Sequence, residues 1–127
     1  MKRKAFEKLV AEAFDAIPEK FRPLAKNVAV VVENEPSEAL RQQEGLGHHE
    51  TLLGYYHGIP HTARGSEYGV GETYPDVITI FQRPIEEAAN GDAVRIRAEI
   101  RETIWHEFAH HFGLDEGDIE MRERGQK

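Results

Sequence analysis

The 127-residue sequence has no cysteine. Disulfides, thiolate nucleophiles and cysteine-based zinc fingers are therefore excluded, and a metal ion could be held only by His, Asp or Glu. Long apolar runs are missing as well. The start, MKRKAFEKLVAEAF, is basic, but Glu7, Glu12 and Asp15 interrupt it where a signal peptide or membrane span would be continuously hydrophobic. A cytoplasmic location without a membrane partner is the expectation. Positive charge is in the minority, with 16 Lys and Arg against 23 Asp and Glu for a formal net charge of -7. Nucleic-acid binding draws its energy from clustered Lys and Arg. Beyond the first four residues only Arg95, Arg97 and Arg101 stand close together, so no nucleic-acid partner is expected. No repeat, linker or low-complexity segment is present, and the length suits one domain over residues 1–127.

Phe6, Leu9, Val10, Ala13, Phe14 and Ile17 recur at three- and four-residue steps, which predicts an amphipathic helix ended by Pro18. A polar connection around Pro23 follows. The β-branched run from Asn27 to Glu33 suits a buried strand closed by Pro36. Further strands are expected at Thr51–His57 and Val77–Gln82, separated by a Gly-rich polar stretch, Gly58–Pro75, of a length usually reserved for function or mobility. Pro84 can open a short helix through Ala89, and Asn90-Gly91 stops it. Asp92 can then cap a long helix ending near Phe112. This order predicts an α+β fold, with helices packed on a small sheet.

The long helix carries the strongest chemical signal, His106-Glu107-Phe108-Ala109-His110. Residues four apart lie one turn apart on the same face, with Cβ atoms roughly 5–6 Å from each other, so two imidazoles can converge on one zinc ion. Glu107, rotated about 100° from His106, stands beside such an ion as a base able to take a proton from zinc-bound water. The pentapeptide alone is weak, since this composition would produce it by chance in about one chain in twenty. Context strengthens it. On a helical wheel Ile100, Ile104, Trp105, Phe108, Ala109 and Phe112 form a broad apolar arc, whereas Glu99, Thr103, His106 and His110 fall on another side. His111 lies on a different face from His110, which favours packing or hydrogen bonding near the end of the helix over ligation.

A catalytic zinc site needs a third protein ligand and an open position. Gly113 can adopt the left-handed conformation that ends the helix and turns the chain back, bringing Asp115 and Glu116 towards the metal. Glu116 is the preferred third ligand and Asp115 its immediate competitor, with Asp118 and Glu120 more distant; the alternative is a solvated acidic turn.

HEFAHHFGLDE resembles the extended HExxHxxGxx(D/E/H) signature. NVAVVVENEP, LLGYYHGIPHTARG and PDVITIFQRPIEE are also similar to segments of the minimal zincin family, small bacterial zinc metallopeptidases. The resemblance runs over most of the chain. It implies a short mixed sheet with an active-site helix beneath it, Zn2+ as cofactor, His106 and His110 as ligands by motif position, and Glu107 as base. Two departures stand out. The last motif position, often Asp in the family, is Glu116 here with Asp115 beside it, and His61 occupies a place in GIPHTARG where an aliphatic residue is expected.

His48 and His49 fit exposed loop positions. His57 and His61, with Tyr68 and Tyr74, are candidate hydrogen-bond donors to an oxyanion, although ordinary loop or packing roles fit them equally well. Met121, among charges, fits local packing. The expected function is zinc-dependent hydrolysis of a peptide bond in a peptide or protein substrate. The alternative is a metal-stabilised protein-binding module with little or no proteolytic activity, since the chain lacks a clear second lobe to grip a peptide. Glu107 favours the enzyme, because a purely structural zinc site needs no base. Metal-dependent cleavage of RNA is disfavoured by the acidic balance.

Overall fold

A computed structural model describes residues 1–58 and 75–114. Helix α1 (Arg3–Asp15) leads through a 3-10 turn (Glu19–Phe21) and a short helix α2 (Arg22–Ala25) into strand β1 (Val28–Glu33). Helix α3 (Glu38–Gln43) precedes β2 (Gly54–His57), and β3 (Asp76–Phe81) runs directly into α4 (Gln82–Ala88) and the long α5 (Ala93–His111). The α+β class holds, and the major helices and strands lie within a few residues of their expected bounds. Helices α2 and α3 have no counterpart among the expected elements. In α3, Ser37 Oγ accepts a hydrogen bond from the Leu40 N–H at 3.1 Å, an N-cap that stabilises a helix too short to show periodicity.

The sheet has the order β1-β3-β2, with β1 parallel and β2 antiparallel to β3. Val30 and Val32 lie opposite Ile78 and Ile80 in β3, which lie in turn opposite Tyr56 and Gly54 in β2. Because side chains alternate along a strand, these residues share the face that packs on the helices. On the other face His57 and Val77 are paired, as are Tyr55 and Thr79, and Gln43 of α3 donates to the Tyr55 hydroxyl at 2.9 Å. β1, expected as a buried strand, is instead covered on one face, with Val31 exposed on the other.

The core lies between this sheet face, α1 and α5. Phe6 and Val10 of α1 meet Ile78, Ile80, Ile96, Ile100, Ile104, Trp105 and Phe108, all nearly or fully buried. Each such side chain contributes roughly 1.5–3 kcal/mol on burial. Both ends of α5 are defined by local chemistry. Asp92 Oδ2 accepts from the Arg95 N–H at 2.9 Å. At the other end Gly113, with φ +65°, lets Leu114 N–H reach the Ala109 carbonyl at 2.9 Å and Gly113 N–H reach the His110 carbonyl at 3.2 Å. This closure satisfies carbonyls that the helix itself leaves unpaired. Among the described residues no helix is long and apolar enough to cross a membrane.

Strand β2 lies unusually close to α5. A Cβ added at Gly54 would stand 2.7 Å from Thr103 Cγ2 and 3.1 Å from the Thr79 carbonyl oxygen, so only glycine fits. Thr103 is consequently buried beneath β2, apart from the two histidines with which it was expected to share a polar stripe. Gly54→Ala should destabilise the fold by about 1–3 kcal/mol through overpacking. Thr103→Ser, which removes the offending methyl group, should restore part of that loss. Urea midpoints of the single and double variants check both statements.

Candidate metal centre and general base

Two rows of side chains on the last turns of α5 divide the work. The first row, Glu102, His106 and His110, is partly exposed. The His106 and His110 ring centroids are 6.1 Å apart, and His106 Nε2 lies 2.6 Å from Glu102 Oε1. The second row, Thr103, Glu107 and His111, lies under β2. Four helical residues advance about 6 Å along the axis and two strand residues about 6.6–6.8 Å, so the two elements stay in step. Gly54 therefore meets Thr103, Tyr56 meets Glu107, and Gly58 meets His111.

Tyr56 N–H donates to Glu107 Oε1 at 3.0 Å. Phe81 N–H donates to the Leu53 carbonyl at 3.0 Å. Main-chain groups alternate between neighbours along an antiparallel strand, so odd residues of β2 face β3 and the Tyr56 N–H points to the outer edge. Glu107 reaches that edge from below. Burial raises its carboxyl above the ordinary range; the Tyr56 N–H, His110 and His106 oppose this, and Glu44, brought near by α3, adds to it. A carboxyl held in this way is suited to accept and return a proton.

A third group of contacts surrounds His111. Its ring stacks on Tyr56 with centroids 3.7 Å apart and planes 9° from parallel. The Tyr56 hydroxyl donates to Asp76 Oδ2 at 2.9 Å, and His111 Nε2 lies 3.5 Å from the same oxygen. Asp76 is 7% exposed. The packing role expected for His111 is thus present, but Tyr56 and Asp76 had no distinguishing signal in the sequence. Their partners are 20 and more residues away in the chain, and no local pattern encodes such a meeting.

His106, Glu107 and His110 lie within about one turn of α5, the two imidazole centroids 6.1 Å apart. Glu116 and Asp115 lie outside the described residues, as do Asp118, Glu120, Met121, His61, Tyr68 and Tyr74. His57 stands on the sheet face opposite Tyr56, away from α5, and His48 and His49 are exposed. Among the described residues no three His, Asp or Glu side chains gather as a metal-binding set. The histidine pair fits a zinc ion in chemistry and in approximate span. Two imidazoles on one tetrahedral ion place their centroids about 5 Å apart, so modest convergence is needed, and Glu102 must release His106 Nε2 if that nitrogen is the ligand.

Residues 25–126 match the family of zincin-like metallopeptidases. In three dimensions the chain is similar to a conserved hypothetical protein, TTHA0227, from Thermo thermophilus. The two are 27% identical, with a TM-score of 0.57 over 88% of this chain and 94% of the other. No curated protein matches.

The raised Glu107 pKa has a consequence for stability in metal-free protein. A carboxyl that binds its proton more tightly when folded favours the folded state below the ordinary carboxylate pKa. That contribution is lost as pH rises through the higher folded value. Glu107→Gln removes the titration while keeping an oxygen for the Tyr56 N–H. Relative to the native chain, the variant should therefore gain stability from acid to neutral pH. Denaturation of chelator-treated protein at both pH values measures the difference.

Proposed function

Because the chain belongs to the zincin-like metallopeptidase family, we propose that it is a zinc-dependent peptidase in which Glu107 is the general base. The observation that carries this reading is the placement of Glu107. Its carboxylate is half-buried, one residue from His106, held by a main-chain N–H at the outer edge of β2. His106 and His110 would hold the ion, with Glu116 as third ligand and Asp115 as its competitor. When bound, zinc supplies carbonyl polarisation and acidification of water.

The protein's own residues have distinct tasks. Glu107 accepts a proton from the attacking water on a carboxylate oxygen and returns it to the leaving amine nitrogen, so its carboxyl begins and ends the cycle ionised. Tyr56 N–H fixes one oxygen of that carboxylate and so orients the other. An extended peptide would add to the outer edge of β2, where the main-chain groups of Gly54 and the Tyr56 carbonyl point away from β3 while the Tyr56 N–H stays with Glu107. The strand's direction relative to α5 then sets the direction of the bound peptide across the base. The substrate would be a peptide or protein.

His106→Ala or His110→Ala should each remove most bound zinc, because two remaining ligands hold the ion poorly. Glu116→Ala should weaken zinc affinity strongly, and Asp115→Ala by no more than about 10–100-fold; the reverse order in a chelator titration would move the ligand to Asp115. Near-stoichiometric zinc in both histidine variants would refute the site.

The deciding experiment combines metal analysis with cleavage of a peptide library by the native protein and by Glu107→Gln. The variant should keep its zinc and lose ~10²–10⁴-fold in hydrolysis, the range for a general base. Zinc without cleavage in the native protein would point instead to a metal-stabilised binding module.

A further inference from the structure

Glu107 is held by a main-chain group, and a main-chain group cannot be aimed by its own rotamer. Something must fix Tyr56 over the helix. The contacts on its side chain do this from three directions. The ring lies flat on His111 at 3.7 Å, the Phe112 ring meets it edge-on at 6.1 Å, and the hydroxyl is bonded to Asp76 at 2.9 Å. Asp76 is itself anchored at the first residue of β3, where its N–H donates to the Asn27 carbonyl at 3.0 Å. Its Oδ2 also faces His111 Nε2, so one buried oxygen is shared by a residue of β2 and a residue of α5. Gly58 completes the fit. A Cβ there would stand 3.0 Å from His111 Cε1, and its absence lets the strand close over the imidazole.

We propose that Tyr56, Asp76 and His111 form a positioning clamp that fixes the β2 main chain over α5 and thereby orients the Glu107 carboxylate. The inference rests on Glu107 being the general base. Asp76 and His111 act through Tyr56, whose side chain they grip and whose N–H makes the contact with Glu107. A partly exposed imidazole near the helix end is thereby coupled, through its stacking on Tyr56, to proton transfer one turn away.

The test follows amide hydrogen exchange at position 56 by NMR in the purified, zinc-loaded protein. Tyr56→Phe keeps the stacked ring and removes only the hydroxyl, and Asp76→Asn is nearly isosteric, so the two variants probe the same bond from either side. Glu107→Ala gives the exchange rate of the amide without its acceptor. Each clamp variant should speed exchange at position 56 by about tenfold or more while Ile78 and Ile80 of β3 keep their native rates. The double variant should be little faster than either single one, because both remove one link. Where peptide hydrolysis is measurable, kcat should fall with KM nearly unchanged. Native exchange at position 56 in both variants would overturn the clamp, as would equal acceleration at Ile78 and Ile80, which marks general loosening of the sheet. If Asp76→Asn fails to fold, Tyr56→Phe alone decides the matter. Absence of peptide hydrolysis in the native protein would overturn the peptidase reading, while the exchange rates would still judge the clamp.

Discussion

The close approach of β2 to α5 governs the arrangement of everything around the HExxH segment. A strand and a helix packed along one another normally keep a side-chain layer between them. Here glycine at 54 and at 58 removes that layer on the strand side, and Thr103, Glu107 and His111 come up directly beneath the strand main chain. The nearly equal advance of two strand residues and four helical residues keeps three contacts in register. A bulkier residue at either glycine would push the strand off the helix, and Glu107 would lose its main-chain donor.

This packing also explains how adjacent residues of one helix serve different chemistry. His106 and Glu107 are rotated about 100° apart, which is enough to leave the imidazole on the open side and to bring the carboxylate beneath β2. The exposed row stays open to solvent. Glu107, beneath the strand, loses water, and that loss raises its proton affinity against the pull of the Tyr56 N–H and the two histidines. A fully buried carboxylate would stay protonated at neutral pH, and a fully exposed one would be a weaker base. The half-covered position lies between these limits.

The anchoring of α5 supports the same end. Phe108 and Ala109, which separate Glu107 from His110, are completely buried in the core, so the helix cannot rotate without exposing them. Truncating such an aromatic costs roughly 3–5 kcal/mol. Rotation of the site-bearing face is opposed on the same scale. The apolar spacers of the motif are thus part of its geometry.

Much of this is legible without coordinates. The three-and-four spacing of Phe6 to Ile17, the β-branched run before Glu33, the Asp92 cap and the Gly113 stop are local signals, each with a local physical cause, and each marks an element close to its true bounds. The HExxH pairing is legible for the same reason, because helical geometry alone brings residues four apart together. Helix α3 is not, because six residues are too few to show a period, and a helical wheel misplaces Thr103 because it shows which side of a helix is polar but not which neighbour covers it. Tyr56, Asp76 and the contact between Glu107 and β2 belong to the fold alone. They depend on which strand lies over which helix and in what register, and that is decided by packing among residues 20 to 51 positions apart. The sequence by itself determined the helix, the pair of histidines and the carboxyl of Glu107 one step along from the first. Only tertiary structure decided what covers that carboxyl, because burial and electrostatic environment are properties of neighbours in space.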